Sequence, residues 1–126
     1  MATILLVDDD PLQASFMVSI LERRFGEVCR ATDAAEALCL IEQPDLASKL
    51  SLVISGHHMP GIGGPVFISE IRTRMPNLPV LVLGAAGESS KDYPQSRVTF
   101  LAKPFGPEEM LSLTGQMLSG QKNAKA

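Results

Sequence analysis

The sequence predicts an α/β protein in which a doubly wound, five-stranded parallel sheet carries helices on both faces. Short apolar runs rich in β-branched residues alternate with longer segments whose apolar residues recur at helical spacing. Turn residues separate the two kinds of segment. The strand-like runs cover residues 3–7, 27–31, 52–55, 79–83 and 98–102. Because a helix is expected after each of the first four strands, the strands should pair in parallel through right-handed crossovers.

The first two helices have recognisable start signals. Pro11 opens a segment whose apolar residues keep helical spacing as far as Phe25,. Asp33, followed three residues later by Glu36, resembles a capping box and starts a second helix that continues toward Pro44,. We expect a linker, rather than another helix, between Pro44 and the third strand.

Proline also marks the starts of two later helices. Pro65 and Pro107 each precede residues with helical apolar spacing, and proline is favoured at the first position of a helix because its missing N–H is not needed there. Between residues 84 and 95 the sequence is polar and is interrupted by Gly87 and Pro94. We therefore expect the fourth helix to be short or irregular.

Composition fits one domain and argues against several classes of partner. The chain has 126 residues, of which 45% are apolar, enough for one hydrophobic core. We assign residues 1–119 to this domain and residues 120–126 to a flexible C-terminal tail. A net charge of −3, no Trp and one Tyr argue against nucleic acid as a partner.

No apolar run reaches the roughly 18 residues of a membrane span, so we expect a cytoplasmic protein that does not contact a membrane. Cys29 and Cys39 lack metal-ligand spacing and are expected to act as small apolar residues.

The functional site is expected at one edge of the sheet. In open α/β sheets, ligands bind beyond the carboxyl ends of the strands, where the strand order reverses. In one common order of doubly wound sheets, 2-1-3-4-5, the first and third strands are neighbours at that point, and we expect this order here. This order places Asp8 and Asp9, after the first strand, beside Gly56 at the end of the third.

Three motifs in this chain resemble those of response-regulator receiver domains. They are the segment 4–11 with sequence ILLVDDDP, Met59-Pro60-Gly61, and Lys103-Pro104-Phe105. The likeness covers nearly the whole chain and implies a flavodoxin-like fold. In that family, two acids after the first strand bind Mg²⁺ and an Asp ending the third strand accepts a phosphoryl group from a histidine kinase. A Thr or Ser ending the fourth strand and a Lys after the fifth bind that phosphoryl group.

The resemblance assigns roles to five positions. Asp8 and Asp9 match the metal-binding acids, and Lys103 matches the phosphate-binding lysine. The backbone carbonyl of His58 lies where the family contributes a carbonyl ligand to Mg²⁺. Phe100 matches the switch aromatic, three residues before the lysine.

Two positions depart from the family pattern. The phosphoacceptor position, three residues before Met59, is Gly56, and the hydroxyl position ending the fourth strand is Gly84. Aspartyl phosphorylation needs a carboxylate oxygen as nucleophile, so we predict a degenerate receiver with no catalytic residues and no enzymatic activity. No cofactor is required, and the loss of one carboxylate leaves at most weak Mg²⁺ binding. Without a hydroxyl at Gly84, Phe100 is either a switch residue or simply a packed ring.

The acidic run after the first strand has two interpretations. It is either a solvated strand end, with Asp10 capping the first helix, or an acidic pocket in which Lys103 partly neutralises Asp8 and Asp9. We favour the pocket, with Asp10 as the cap, because repulsion between two crowded carboxylates favours a nearby cation.

The leading functional hypothesis is a pseudo-receiver that binds proteins independently of phosphorylation in two-component or phosphorelay-type signalling. Its partner would be a signalling protein, such as a histidine kinase, a phosphotransfer protein or an output protein, or a second copy of the chain. The contact surface is expected to include Tyr93, Phe100 and the exposed side of residues 110–117, or the first helix if that surface is more apolar.

Two alternative functions stay open at this point. One is a phospho-accepting regulator that uses Ser55 or His57 as an unusual acceptor. The other is a small metal-binding domain in which His57 or His58 joins Asp9. Ser55 should point away from the side chain of its neighbour in the strand, which argues against its use as an acceptor in this pocket.

Overall fold

The computed structural model describes residues 2–57, 59, 61–85 and 97–119, and these residues form five strands and five helices. The strands are β1 (Ala2–Val7), β2 (Gly26–Ala31), β3 (Leu52–Gly56), β4 (Val80–Ala85) and β5 (Val98–Lys103). The helices are α1 (Pro11–Arg24), α2 (Ala34–Ile41), α3 (Pro44–Lys49), α4 (Gly64–Arg74) and α5 (Pro107–Ser119). No helix among these residues is long and apolar enough to cross a membrane.

The sheet is parallel and has the order β2-β1-β3-β4-β5. This order and the helices around the sheet confirm the predicted flavodoxin-like fold class. The order reverses between β1 and β3, where Val7 is aligned with Ser55. The residues that follow these two strands therefore meet at one edge of the sheet.

The core has two layers, one on each face of the sheet, because successive side chains of a strand point to opposite faces. Leu5 and Val7 of β1 belong to a buried cluster with α2 and α4, which also contains Phe67. Ile4 and Leu6 belong to a second buried cluster with α1 and α5. These strand residues are at most 2% exposed, so β1 is buried on both faces, as expected for the central region of a parallel sheet.

The segment after α2 is a helix, where a linker was expected. Pro44 occupies the start of α3, Lys49 lies in its last turn, and Leu46 is buried on its inner side. The prediction of a linker was wrong because burial of Leu46 stabilises a helix too short to be recognised from periodicity. Asp45, assigned to that linker, lies in the first turn of α3, ahead of β3.

The last two strands extend further than predicted. β4 ends at Ala85 and β5 ends at Lys103. Gly84 is therefore the penultimate residue of β4, and Lys103 is the last residue of β5, aligned with Ala85. The predicted fourth helix and the predicted tail, residues 120–126, lie outside the described residues, so the domain boundary at residue 119 stays a prediction.

Helix capping follows the sequence signals, with one shift. Asp33 accepts a hydrogen bond from the backbone N–H of Glu36 at 2.8 Å. The Glu36 carboxylate does not return to Asp33 but accepts hydrogen bonds from the N–H and hydroxyl of Thr32, both at 2.8 Å. These bonds, the backbone one first, lower the pKa of Glu36. Pro65 is the second residue of α4, which begins at Gly64 and not at Pro65 as predicted.

The two cysteines lie in different environments. Cys29 is half-buried against the core cluster, and burial raises the pKa of its thiol, as expected for a small apolar residue. Cys39 is exposed on α2, so the expectation that it acts as a small apolar residue in apolar surroundings was wrong.

We predict that the cap of α1 contributes measurably to stability. Asp10 accepts hydrogen bonds from the N–H groups of Leu12 and Gln13 at 3.0 and 3.3 Å. Asp10→Ala should lower the free energy of unfolding by about 1 kcal/mol, measured by urea denaturation. Asp10→Asn keeps a capping oxygen, so it should lower the free energy of unfolding much less. Equal decreases in the two variants would show that the cap hydrogen bonds do not account for the loss of stability.

Candidate functional site

A small cavity of about 60 Å³ opens at the carboxyl edge of the sheet. Its walls come from β1, α1, the end of β3, β4 and the end of β5. The lining residues are Leu6, Val7, Asp8, Asp9, Gln13, Gly56, Met59, Leu83 and Lys103. The structure thus brings together four residues that the sequence placed at one site: Asp8, Asp9, Gly56 and Lys103.

Asp8 is held through all of its polar atoms. Its backbone N–H donates to the carbonyl of Ala31 at 3.0 Å, and its carbonyl accepts from Nε and Nη2 of Arg30 at 3.1 and 2.8 Å. Oδ1 accepts from the backbone N–H of Asp10 at 2.9 Å. Oδ2 accepts from Nε2 of Gln13, also at 2.9 Å. The carboxylate of Asp8 is therefore already engaged by donors of the protein.

Asp9 and Lys103 are exposed at the mouth of the same cavity. Among the described residues, neither side chain forms a hydrogen bond or an ion pair. The expected neutralisation of Asp8 and Asp9 by Lys103 therefore has no direct ion pair to support it. The geometry places Lys103 among the residues that line the same cavity as Asp8 and Asp9.

The end of β3 supplies backbone rather than a functional side chain. Gly56 offers no side-chain oxygen to the cavity. Ser55 is 1% exposed, and its hydroxyl donates to the carbonyl of Gly56 at 2.9 Å. It aligns with Val7 of β1 and Val82 of β4, and it does not line the cavity.

His57 also lies apart from the acidic cavity. Its ring centroid is 6.2 Å from that of Phe100, with the two rings at 77°. Its backbone N–H donates to the carbonyl of Leu83, and its carbonyl accepts from Gly64, both at 3.0 Å. His57 is therefore oriented toward Phe100. His58, assigned a backbone carbonyl role, lies outside the described residues.

Neither of the two switch positions lines the cavity. Gly84 is buried within β4 and aligned with Ala102 of β5. Phe100 is half-buried and packs against the core cluster of α2 and α4. Among the described side chains of β4, the apolar side chain of Leu83 lines the cavity.

Sequence reasoning missed Gln13 and Arg30. Gln13 lies in the first turn of α1, directly after the acidic run, and could have been noticed as a donor within reach of it. Arg30 is aligned with Leu6 of β1, one residue short of the end of β2. A lone arginine between Cys29 and Ala31, in a strand next to the acidic tip, was the available signal.

The described side chains do not fit a well-formed magnesium centre. Mg²⁺ requires near-octahedral oxygen ligands and is usually held by one or two carboxylates. Here the Asp8 carboxylate accepts two protein hydrogen bonds, and Gly56, which also lines the cavity, has no side-chain oxygen. No group of three or more metal-binding side chains occurs within the described part of the chain. Asp9 is left as the one cavity carboxylate without a protein donor among these residues.

Comparison with known proteins identifies the family. The family model of the response regulator receiver domain matches residues 4–114. The chain belongs to the response regulator receiver domain family. Such receivers act in two-component signalling, are generally not enzymes, and bind Mg²⁺ at their phosphorylation site.

Curated relatives place similar sequences within much longer proteins. The response regulator protein FleR of Pseudomonas aeruginosa is 37% identical over 125 residues, which cover 95% of this chain and 25% of FleR. The sensor kinase CckA of Brucella abortus is 28% identical over 123 residues, which cover 95% of this chain and 13% of CckA. The chain thus spans a quarter or less of the length of these two relatives.

Solved receiver structures have the same fold. The receiver domain of the hybrid histidine kinase CckA has a TM-score of 0.78 and 31% identity, and the match covers 94% of this chain and all of that one. NtrX from Brucella abortus has a TM-score of 0.85 and 27% identity over 99% of this chain and 28% of NtrX. The receiver architecture is therefore shared along nearly the full length of the chain.

We predict weak Mg²⁺ binding that depends on Asp9. In a titration followed by amide chemical shifts, Mg²⁺ should bind in the millimolar range or more weakly, and shifts should stay near residues 8–10. Asp9→Asn should remove this binding, whereas Asp10→Asn, the same change one residue later, should leave it. Tight binding with shifts along β5 would show that the remaining oxygen ligands suffice for a metal centre.

Proposed function

We propose that this chain is an atypical receiver that binds a signalling protein independently of phosphorylation. The observation that carries the proposal is Gly56, which stands at the end of β3 where a receiver presents its phosphoacceptor Asp. Phosphoryl transfer to a receiver requires a carboxylate oxygen in line with the donor. A glycine at this position supplies none.

The neighbouring side chains give little support to a substitute acceptor. The hydroxyl of Ser55 is buried and bonded to the carbonyl of Gly56. The ring of His57 lies against Phe100. Asp8 uses both carboxylate oxygens in protein hydrogen bonds. These contacts favour a binding function over an unusual phosphoacceptor, and the sparse ligand set favours it over a metal-binding domain.

The absence of a hydroxyl at Gly84 supports constitutive behaviour. A receiver switches because its phosphoryl group binds the active conformation more strongly than the inactive one. With a glycine at position 84 and Leu83 lining the cavity, β4 offers no side-chain donor to such a group. Without differential binding energy, the equilibrium between the two conformations does not shift. The domain is therefore proposed to hold one dominant conformation. We also propose that it acts in the cytoplasm.

The apolar surface available for a partner lies on α1. Among the described residues, Leu12 is 83% exposed and Phe16 is 54% exposed. They lie one turn apart, so they share a face of the helix. Scattered exposed apolar residues are common, but a contiguous apolar surface indicates a binding site.

A groove beside Phe16 extends this surface. It has a volume of about 390 Å³ and lies between α1 and the segment that joins β5 to α5. Its walls are formed by Gln13, Phe16, Met17, Ile20, Lys103, Pro104, Phe105, Pro107 and Met110. We propose that this groove receives an apolar segment of a histidine kinase, a phosphotransfer protein, an output protein or a second copy of the chain.

The alternative contact surface on α5 is less well supported. Met110 is 1% exposed and Leu111 is 6% exposed, so α5 uses these apolar residues in the core. The exposed side of residues 110–117 instead carries the polar residues Ser112 and Gln116, and its use as a contact surface stays a prediction. Tyr93, the other proposed contact, lies outside the described residues, and Phe100 is half-buried.

We predict that truncating Phe16 weakens partner binding. Phe16→Ala should raise the Kd for a cognate signalling protein by about tenfold, as expected for an aromatic anchor, measured by calorimetry. Self-association should be measured in parallel by ultracentrifugation. Val66→Ala is a matched control, because Val66 is 57% exposed but lies on α4, which packs on the opposite face of the sheet.

The results of these measurements distinguish three places where a partner could act: the surface of α1, the surface of α4 and the acidic cavity. A loss from Val66→Ala equal to that from Phe16→Ala would contradict the assignment to α1. A large loss from Asp9→Asn, in a protein that stays folded, would show that the acidic cavity still governs binding.

We further predict how phosphorylation responds to restoring the acceptor. Incubated with a small-molecule phosphodonor and Mg²⁺, the natural chain should gain no phosphoryl mass. Gly56→Asp should be phosphorylated slowly and with little conformational change, because position 84 still lacks a hydroxyl. The double variant Gly56→Asp/Gly84→Ser should respond more. A complete switch by Gly56→Asp alone would show that the hydroxyl is unnecessary.

A further inference from the structure

The side chain of Gln13 lies over the acidic cavity from the first turn of α1. Asp10 caps this helix and accepts a hydrogen bond from the backbone N–H of Gln13 at 3.3 Å, which fixes the position of the residue. The amide nitrogen Nε2 then donates to Oδ2 of Asp8 at 2.9 Å. Gln13 is thus a donor built into the site where the family binds a cation.

The orientation of the Gln13 amide follows from the charge of its partner. A carboxylate only accepts hydrogen bonds, so the NH₂ group of the amide must face Asp8 and the amide oxygen must face away. Hydrogen bonds to charged groups are stronger than those between neutral groups. The Gln13 amide therefore supplies Asp8 with a partial positive charge, whereas Mg²⁺ would supply two full charges.

The other acceptor atoms of Asp8, Oδ1 and the backbone carbonyl oxygen, also accept hydrogen bonds from the protein. Oδ1 accepts from the N–H of Asp10, and the guanidinium of Arg30 donates twice to the carbonyl of Asp8. A cation that uses Oδ2 must displace the Gln13 amide or share the oxygen with it. Mg²⁺ also gives up its own water reluctantly, so this displacement adds to an already unfavourable exchange.

We propose that Gln13 is an internal substitute for the cation, which occupies the ligand position on Asp8 and lowers the affinity of the cavity for divalent metal ions. Gly56 removes one ligand from the cavity, and Gln13 blocks another. The inference rests on the proposed function and extends it, because a cavity that binds cations only weakly lacks much of the positive charge that phosphoryl transfer requires. It is tested by metal binding alone, so its failure and a failure of partner binding are separate results.

The test is a Mn²⁺ and Mg²⁺ titration of the natural chain and of Gln13→Met, followed by amide signals of residues 8–10. Methionine keeps the length of the side chain and its packing beside Phe16 and Met17 in the groove, but it offers no donor. Removing a hydrogen bond to a charged group should raise metal affinity about tenfold. Gln43→Met is the matched control, because Gln43 is exposed at the start of α3 and makes no side-chain cap.

The same comparison is made in a second variant, in case Asp8 and Asp9 alone bind metal ions too weakly to measure. In Gly56→Asp, which adds a carboxylate, Gln13→Met should again raise affinity about tenfold. Equal affinity with and without Gln13, in both backgrounds, would overturn the proposal. Weaker binding in Gln13→Met would also overturn it, since the amide oxygen would then be a metal ligand rather than a competitor.

Discussion

The hydrogen bonding of Asp8 is the constraint on which the functional edge depends. Its backbone joins the tip of β1 to β2 through Ala31 and Arg30, and its carboxylate joins the same tip to the start of α1. A strand end, a neighbouring strand and a helix start are thereby fixed relative to one another. Because a half-buried carboxylate is costly to leave unsatisfied, these bonds also hold the α1 start in place and so position the groove beside it.

The same bonds give Asp8 a role in holding the fold together that requires neither a metal ion nor a phosphoryl group. A catalytic acid must keep its oxygens available to a metal ion and a phosphoryl group, whereas a structural acid is most stable when donors surround it. In the described structure, Asp8 has a protein donor on each of its carboxylate oxygens. The end of β3 agrees with this interpretation, since Ser55 bonds back to the carbonyl of Gly56 and Gly56 adds no side chain.

Sequence patterns predicted the architecture better than the site. Strands and long helices could be recognised because burial imposes regular spacing, and Asp10 and Asp33 marked two helix starts. α3 could not be recognised, because a six-residue helix is stabilised by burying Leu46, a tertiary effect. Spacing showed that α5 has an apolar face but not how much of it, including Met110, the core would cover. Gln13 and Arg30 were missed because their shared partner, Asp8, depends on strand register and helix direction.

The acidic cavity and the apolar groove share two wall residues, Gln13 and Lys103. A partner bound in the groove would therefore contact Gln13, the residue that donates to Asp8. If such a partner changed the affinity of the cavity for a ligand, that ligand would change the affinity of the groove for the partner by the same factor. Under the proposed function, the cavity of this chain receives no phosphoryl group, so binding at the groove would not depend on one. Occupancy of a partner would then be set by the concentration of the domain relative to its Kd rather than by a change of conformation.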